Sequence, residues 1–393
     1  MKKTLFILLA GLALASCSNG SQPQSDYLQR TIRIAQSEIQ HNPELWMADF
    51  VKAPKWDYTQ GLIAKAMLET YLVTNDSTYL QYVQAFADYF IQPDGTIRTY
   101  KLDAYNIDRV NGGNFIFLLD SIDPQPRYKT AIHTLRAQLA SQPRTSEGGF
   151  WHKKIYPWQM WLDGLYMGEP FYAHYAVWNN EDSIFDDVVR QFRVVDKHTL
   201  DTATQLNFHG WDESKEQAWA DPVSGCSPHS WGRAEGWYVM AICDVLDYLP
   251  ATHEGRANLI AILNRVCEAL LRYQDPETKM WYQVVDMPEA EGNYTESTCS
   301  AMFCYAMAKG ARKGYLPAKF RTIAEEAYNG IWNNAIIENE DGTVSLTRCC
   351  AVAGLGGNPY RSGEYDYYIH EQVRNDDPKG IGPLLLAGLE LFE

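Results

Sequence analysis

The sequence predicts an all-α fold in which six helical hairpins close into a ring, an (α/α)6 barrel. Apolar residues recur at helical spacing, as Leu68 and Leu72 do, and the helical segments follow one another in pairs with short, glycine-containing connections. Alternation of β-branched residues, which would indicate strands, is scarce. On periodicity alone, an irregular α-solenoid or a multi-helix bundle stays open as the alternative.

The predicted hairpins repeat along the chain. Their paired helical segments are 58–73 with 77–91, 107–119 with 128–141, 162–178 with 184–198, 231–248 with 256–273, and 295–309 with 317–337. A last helix over 380–392 would pair with an N-terminal helix over 27–39 and close the sixth hairpin. In such a barrel the first helix of each hairpin lines the inner wall, and the loops at one rim build the functional site.

The first residues have the features of an export signal. Lys2 and Lys3 precede an apolar run over 5–14, which is too short to span a bilayer, and small residues lead into Cys17. The segment 12–17 resembles a bacterial lipoprotein box. We therefore expect a signal peptide over 1–16, a lipidated N-terminal tether over 17–26 beginning at acylated Cys17, and a single domain over 27–393. An ordinary cleavage site with a chance cysteine is the alternative.

Lipidation would decide where the protein lies. We expect an exported lipoprotein that contacts a membrane only through the lipid anchor at Cys17. No acidic run follows Cys17, so the folded domain is expected to face the periplasm, with the cell surface as the alternative.

Composition excludes some classes of partner and favours others. The net charge of −15 argues against nucleic acid as a partner, and an anionic ligand would need a local cluster of cations. The seven cysteines after Cys17 fit no zinc spacing, and their odd number makes a disulfide framework unexpected. We expect neither a metal nor a cofactor. The 12 tryptophans and 25 tyrosines offer aromatic faces that suit sugar rings, although core packing explains most of them.

Polar and aromatic residues concentrate where the inner helices are predicted to begin. If these helices run parallel, all such residues gather at one end of the barrel and form a pocket. Each also has a structural explanation: an Asp at a helix start is favoured as an N-cap, and Arg233 could pair with Glu235 or Asp212. The clusters are Trp56-Asp57-Tyr58, Asn106-Ile107-Asp108, His152-Lys153-Lys154, Trp161-Leu162-Asp163-Gly164, His209-Gly210-Trp211-Asp212 and Ser230-Trp231-Gly232-Arg233.

Several of these clusters lie in longer strings that resemble unsaturated rhamnogalacturonyl hydrolases, glycoside hydrolase family 105. The similarity runs in order from about Trp56 to the C-terminus, and unsaturated glucuronyl hydrolases resemble the chain more weakly. The strings are Phe150–Pro157, Gln159–Met167, Phe208–Asp212, Trp231–Ala234, Glu291–Tyr294, Ala306–Gly310 and Gly354–Tyr360.

The resemblance implies an (α/α)6 barrel and a hydration reaction. Its substrate is an oligosaccharide whose nonreducing uronic acid carries a C4=C5 double bond. Asp163 would be the general acid that protonates C4 and then the base that activates water, so it must hold its proton when substrate arrives. Asp108 would be the second carboxylate, which orients hydroxyls and supports the developing positive charge. The rules relating carboxylate spacing to stereochemistry in ordinary glycosidases do not apply to this reaction.

The resemblance also implies a set of substrate-binding residues. His152 and Lys153 match the binding loop of the family, and Arg233 suits a carboxylate because its planar fork can bond both oxygens. The remaining expected contacts are His209 with the substrate's carboxylate or hydroxyls, Trp231 and Trp237 as stacking walls, Trp161 as a further substrate-binding residue, and Tyr58 in the pocket lining.

The predicted enzyme removes a 4,5-unsaturated galacturonic acid from the nonreducing end of rhamnogalacturonan-derived oligosaccharides during pectin degradation. An unsaturated glucuronyl hydrolase acting on ulvan or glycosaminoglycan fragments is the main alternative. A non-catalytic surface sugar-binding lipoprotein and a conventional inverting glycosidase are the others.

Overall fold

The computed structural model describes residues 26–393, so the predicted signal peptide, Cys17 and nearly all of the tether lie outside the described residues. The described chain is mainly helical, with short 3₁₀-helices at Leu45–Phe50, Leu102–Ala104 and Leu271–Tyr273. The α-helices are α1 Asp26–His41, α2 Tyr58–Thr74, α3 Ser77–Phe90, α4 Asp108–Asn111, α5 Asn114–Ile122, α6 Pro126–Ser141, α7 Leu162–Trp178, α8 Ile184–Thr199, α9 Gly232–Leu246, α10 Arg256–Leu270, α11 Ser297–Arg312, α12 Lys319–Ala335, α13 Tyr365–Ile369 and α14 Pro378–Phe392.

The helices form a closed double ring. On the inside, α2 packs on α4 and α5, these on α7, α7 on α9, α9 on α11, α11 on α14, and α14 returns to α2. The helices α3, α6, α8, α10, α12 and α1 cover this inner ring from outside, each packing on at least one inner helix. The predicted (α/α)6 barrel of six hairpins is therefore confirmed, including the pairing of the last helix with the first.

The inner and outer helices differ in how their surfaces are used. Every residue of α9 is buried, because an inner helix has neighbours on all sides. In α8, by contrast, an apolar stripe that includes Val188 and Phe192 faces the core, while Asp186 and Lys197 are exposed. Burial on all sides therefore distinguishes the inner helices, which form the wall of the barrel, from the outer ones.

One predicted inner helix is broken. The segment 107–119 was expected to be continuous, but α4 ends at Asn111 and α5 begins at Asn114, with Gly112 and Gly113 between them. A Cβ atom on Gly61 of α2 would lie only 2.7 Å from the Cα of Gly112. The two glycines thus allow α2 to approach closely, and the short α4 holds Asp108 at the rim.

Periodicity also missed four small antiparallel sheets of two strands each, since their strands contain only two or three residues. They are β1 Gln159–Trp161 with β2 Gly210–Asp212, β3 Trp281–Tyr282 with β4 Thr295–Glu296, β5 Ile336–Glu338 with β6 Val344–Leu346, and β7 Cys349–Cys350 with β8 Val373–Arg374. Trp161 lies opposite Gly210, so the first sheet ties the start of α7 to the residues after His209.

A buried ion-pair network joins three inner helices near the opposite rim. Asp244 of α9 lies 2.6 Å from the ammonium groups of both Lys65 and Lys309, and it accepts a 2.6 Å hydrogen bond from the Tyr305 hydroxyl. Burial alone would raise the pKa of Asp244, but the two lysines outweigh it and hold that pKa well below its usual range. The network therefore keeps α2, α9 and α11 in register.

The outer helix α1 contains a buried acid that should make stability depend on pH. Glu38 is 2% exposed, and burial raises its pKa from 4.5 to about 8. The folded state keeps a proton that the unfolded state releases above its ordinary pKa, so this contribution to stability is complete at low pH and is lost as pH rises toward 8. Its slope cannot exceed about 1.4 kcal/mol per pH unit.

Glu38→Gln should therefore reduce the pH dependence of the unfolding free energy between pH 5 and 8. The amide resembles the protonated acid in shape and does not ionise. Urea unfolding at several pH values measures the slope, with the exposed Glu340→Gln as the matched control. Equal slopes in both variants and the parent protein would contradict this assignment.

Candidate active site

The first turns of the inner helices gather at one rim, as the sequence predicts. Asp57 precedes α2, Asp108 begins α4, Asp163 lies in the first turn of α7 and Trp231 precedes α9. The connections between hairpins add His152, Lys153 and His209 to the same rim. Carboxylates, cations and aromatic rings are thereby brought together.

Helix capping explains one of these aspartates and not the others. Asp57 is an N-cap, and its carboxylate accepts a 3.1 Å hydrogen bond from the backbone N–H of Tyr58. Asp163 lies one residue inside α7, whose N-cap Trp161 provides no side-chain cap, and within residues 26–393 no backbone N–H donates to the Asp163 carboxylate. Asp163 therefore lies in the first turn of α7 without capping it.

Asp163 faces a buried histidine. The Nε2 atom of His209 lies 3.1 Å from Oδ2 of Asp163, but the two atoms are not aligned as a hydrogen bond. The backbone N–H of Leu162 donates to the carbonyl of His209 at 3.0 Å, which fixes the distance between α7 and this loop. Asp163 thus has a close polar neighbour, and within residues 26–393 neither Oδ2 of Asp163 nor Nε2 of His209 has a hydrogen-bond partner.

Tyr368 orients His209 from behind, and sequence reasoning did not identify it. Its hydroxyl lies 2.7 Å from Nδ1 of His209. Burial raises the pKa of Tyr368 well above its ordinary value, and nearby charges, including Asp163, add to the effect. The hydroxyl therefore keeps its proton. When it donates to Nδ1, the ring hydrogen lies on Nε2, facing Asp163.

Asp108 is held by a lysine and a histidine. Its Oδ1 atom lies 3.2 Å from Nε2 of His152, and its Oδ2 atom lies 2.5 Å from the Lys153 ammonium. Burial would raise the pKa of Asp108, but Lys153 and His152 outweigh burial and hold that pKa well below the usual range. Asp108 is therefore a fixed negative charge at neutral pH.

Trp161 forms the middle of a three-ring stack. The ring of Tyr156 stacks on Trp161 with 4.9 Å between ring centroids and 19° between planes. The ring of His152 stacks on Trp161 with 4.6 Å between centroids and 15° between planes. Trp161 is 5% exposed, so its ring is engaged with protein groups. Trp161 was expected to bind substrate, but it is instead the support that orients His152 toward Asp108.

Trp231 and Trp237 are also packed as core residues. Each is 1% exposed. Trp231 stacks on Tyr368 at 5.9 Å and 15°, and Trp237 stacks on Tyr166 at 4.8 Å and 26°. Because protein groups already cover these rings, the structure corrects their expected role as walls facing the substrate.

Arg233 has the contacts of a structural residue. Its guanidinium donates to the backbone carbonyls of Cys350 and Ala351 and lies 3.9 Å from Glu296. The ion-pair alternative therefore describes it, with Glu296 in place of the expected Glu235 or Asp212. Its side chain is almost fully buried, so the expected contact with a substrate carboxylate is not available in this arrangement.

Tyr58 is half-buried and meets Trp237 edge to face at 6.1 Å. Burial raises the pKa of Tyr58 well above its ordinary value, and the charges of Asp49 and Asp108 add to this. It therefore offers a protonated hydroxyl near Asp108, which is compatible with the predicted pocket lining.

Three further findings concern the described residues as a whole. A separate cavity of about 520 Å³ is lined by Phe208, Trp219 and Pro228, among others, but by neither Asp108 nor Asp163. Within 26–393, no group of three His, Cys, Asp or Glu side chains is arranged to hold a metal ion. In the same range, no helix is both long and apolar enough to span a bilayer.

A closed (α/α)6 barrel with two carboxylates in contrasting surroundings at one rim is an arrangement suited to glycoside hydrolysis. Comparison with known proteins then gives the family. The chain belongs to Glycosyl Hydrolase Family 88, whose sequence profile matches residues 31–393.

Individual relatives agree with this assignment. The solved structure of a family 105 glycoside hydrolase from C. acetobutylicum is 44% identical, with a TM-score of 0.88 over 92% of this chain and 98% of that one. The unsaturated rhamnogalacturonyl hydrolase YesR of Bacillus subtilis is 26% identical over 258 residues, 64% of this chain and 70% of YesR. The unsaturated glucuronyl hydrolase of Bacillus sp. GL1 shares the fold at 13% identity, with a TM-score of 0.70 over 93% of this chain and 96% of that one.

The effect of Lys153 on the pKa of the Asp108 carboxyl group can be tested by substitution. Lys153→Met removes the strongest opposing charge from buried Asp108, so the pKa of Asp108 should rise and its acid dissociation constant should fall by roughly tenfold or more. Carboxyl ¹³C shifts in aspartate-labelled protein measure the titration, and Asp108→Asn identifies the resonance. Lys154 is the exposed neighbour of Lys153, and Lys154→Met is the matched control. A titration unchanged in Lys153→Met would contradict the analysis.

Proposed function

We propose that this protein removes a 4,5-unsaturated galacturonic acid from the nonreducing end of rhamnogalacturonan-derived oligosaccharides. The observation that carries the proposal is the state of Asp163, which caps no backbone N–H and faces the buried Nε2 of His209 at 3.1 Å. The similarity to YesR, which is named for this activity, supports the choice of substrate.

In the proposed reaction, protonated Asp163 transfers its proton to C4 of the unsaturated sugar. The C4=C5 electron pair forms the new C–H bond, and positive charge develops at C5 and the ring oxygen. Asp163, now ionised, takes a proton from a water molecule as the water oxygen bonds to C5. The hemiketal that results opens, and its rearrangement releases the rest of the oligosaccharide.

Asp108 has a different role in this mechanism. Because Lys153 and His152 keep it ionised, it cannot serve as the acid, but its negative charge can stabilise the cationic centre at C5. Only Asp163 of the two carboxylates lacks a cationic partner from Lys or Arg within the described residues. The local charges therefore favour Asp163 as the proton donor.

The reaction can be followed directly, because the conjugated double bond absorbs ultraviolet light and hydration removes the chromophore. With lyase-generated disaccharides, the protein should destroy the absorbance of the unsaturated galacturonyl-rhamnose substrate. Preference for unsaturated glucuronyl substrates would instead support the glucuronyl alternative. No loss with any unsaturated uronide would contradict the hydration mechanism, and release of saturated sugars alone would indicate a conventional glycosidase.

Asp163→Asn should lower kcat by roughly 100-fold or more, with folding and substrate binding largely kept, because it removes the proton donor. The matched control is Asp57→Asn at the same rim, where the asparagine can still cap α2 and activity should stay close to that of the parent. Near-normal turnover by Asp163→Asn would exclude Asp163 as the acid.

We also propose that Cys17 is acylated and that the exported protein is held at a membrane facing the periplasm. This proposal rests on the sequence of the first 17 residues, outside the described range. Cys17→Ser should lose palmitate labelling and move from the membrane to the soluble fraction. Labelling that survives the substitution would contradict acylation at this residue.

A further inference from the structure

One nitrogen of His152 lacks a partner. Its Nε2 atom faces Asp108, but its Nδ1 atom is buried and makes no hydrogen bond within residues 26–393. The residue is only 3% exposed. A buried polar atom without a partner costs free energy, so a neighbour that satisfies Nδ1 would also decide where the ring carries its hydrogen.

A second unpartnered polar atom lies on the neighbouring helix. Glu169 of α7 is 1% exposed, and within the described chain its Oε2 atom has no hydrogen-bond partner. Side chains on a helix lean toward its N-terminus, so Glu169 extends toward the turn that contains Leu165, which lines a small cavity together with Gly164. At Gly164 the missing side chain admits His152, because a Cβ atom there would lie 3.0 Å from Nδ1.

His152 and Glu169 line the same small cavity. Its volume is about 10 Å³, close to the space that one water molecule needs. Gln191 also lines it, but its amide already donates to the carbonyl of Gly148 at 3.1 Å and accepts from the N–H of Phe150 at 2.7 Å. The two atoms that still lack partners are therefore those of His152 and Glu169.

We propose that one water molecule in this cavity bridges the Glu169 carboxyl group to Nδ1 of His152, and that Glu169 thereby acts as a positioning residue for Asp108. The carboxyl O–H donates to the water oxygen, and the water donates to Nδ1. His152 is then the neutral tautomer whose Nε2–H points at Oδ1 of Asp108.

The charges around Glu169 agree with a carboxyl group that keeps its proton. Burial raises the pKa of Glu169 well above its ordinary value, the charge of Asp187 adds to this, and Arg144 acts against it with a smaller effect. Asp108 then receives a hydrogen bond from a neutral ring, and Lys153 is the cation that balances its charge.

The proposed water bridge also helps to fix the orientation of the His152 imidazole. Stacking on Trp161 fixes the plane of the imidazole, and the contacts at its two nitrogens fix its rotation in that plane. A displacement of the Asp108 carboxylate by a fraction of an ångström would slow the proposed reaction, because that reaction depends on a negative charge placed beside C5. The catalytic consequence rests on the proposed function, whereas the tautomer does not.

The test uses ¹⁵N-histidine-labelled full-length protein, with His152→Gln to identify the resonances. In the parent protein, Nδ1 of His152 should give the shift of an unprotonated nitrogen and Nε2 that of a protonated one. Glu169→Leu removes the donor to the water, so the tautomers should become mixed. Glu169→Gln keeps the shape and an N–H donor, and it should preserve the parent spectrum.

Turnover provides the second readout. Glu169→Leu should lower kcat roughly tenfold to a hundredfold with little change in KM, and Glu169→Gln should restore it to within a few-fold of the parent. An unchanged tautomer in Glu169→Leu, or a Glu169→Gln variant as altered as Glu169→Leu, would overturn the proposal. Should the leucine variant not fold, a high-resolution crystal structure of the parent decides, since a cavity without ordered water overturns the bridge. The spectra need no substrate, so they separate this proposal from the proposed function.

Discussion

Close packing of α14 between α2 and α11 closes the barrel, and the rim exists only because the ring is closed. The approach needs small residues: a Cβ atom on Gly382 would lie 2.6 Å from Leu62 of α2, and one on Gly380 would lie 3.2 Å from the hydroxyl oxygen of Thr298 in α11. The closed ring points the first turns of the inner helices to one side. Residues separated by a hundred positions, such as Asp108 and His209, thereby come to share one rim.

Within that rim, local partners give two similar carboxylates different chemical properties. Asp108 is held as an anion by Lys153 and His152, whereas among the described residues Asp163 forms no ion pair with a lysine or arginine and faces a buried imidazole. Neighbours that push two carboxyl groups apart in proton affinity are a common basis for dividing the roles of acid and charge stabiliser. The surrounding aromatic rings serve this division, because Trp161 supports His152 and Tyr368 orients His209.

Much of the architecture could be predicted because helical periodicity is a local property. Pairs of amphipathic or fully apolar segments predicted six hairpins, and their number and short connections favoured a ring over the solenoid or bundle that periodicity alone left open. The break at Gly112 and Gly113 could not be predicted in this way, since it depends on the close approach of Gly61 from another helix. The two-stranded sheets were missed because strands of two or three residues have no measurable period.

For the site, the sequence by itself determined which residue types stand at the helix starts, and the motif strings indicated which of them belong to the chemistry. Only the tertiary structure decided what each one does. Asp57 and Asp163 look alike in sequence, yet one caps its helix and the other does not. Trp231, Trp237 and Arg233 were expected to meet substrate and are buried instead. The physical reason is that capping, burial and charge pairing depend on neighbours from distant hairpins, which meet only when the ring closes.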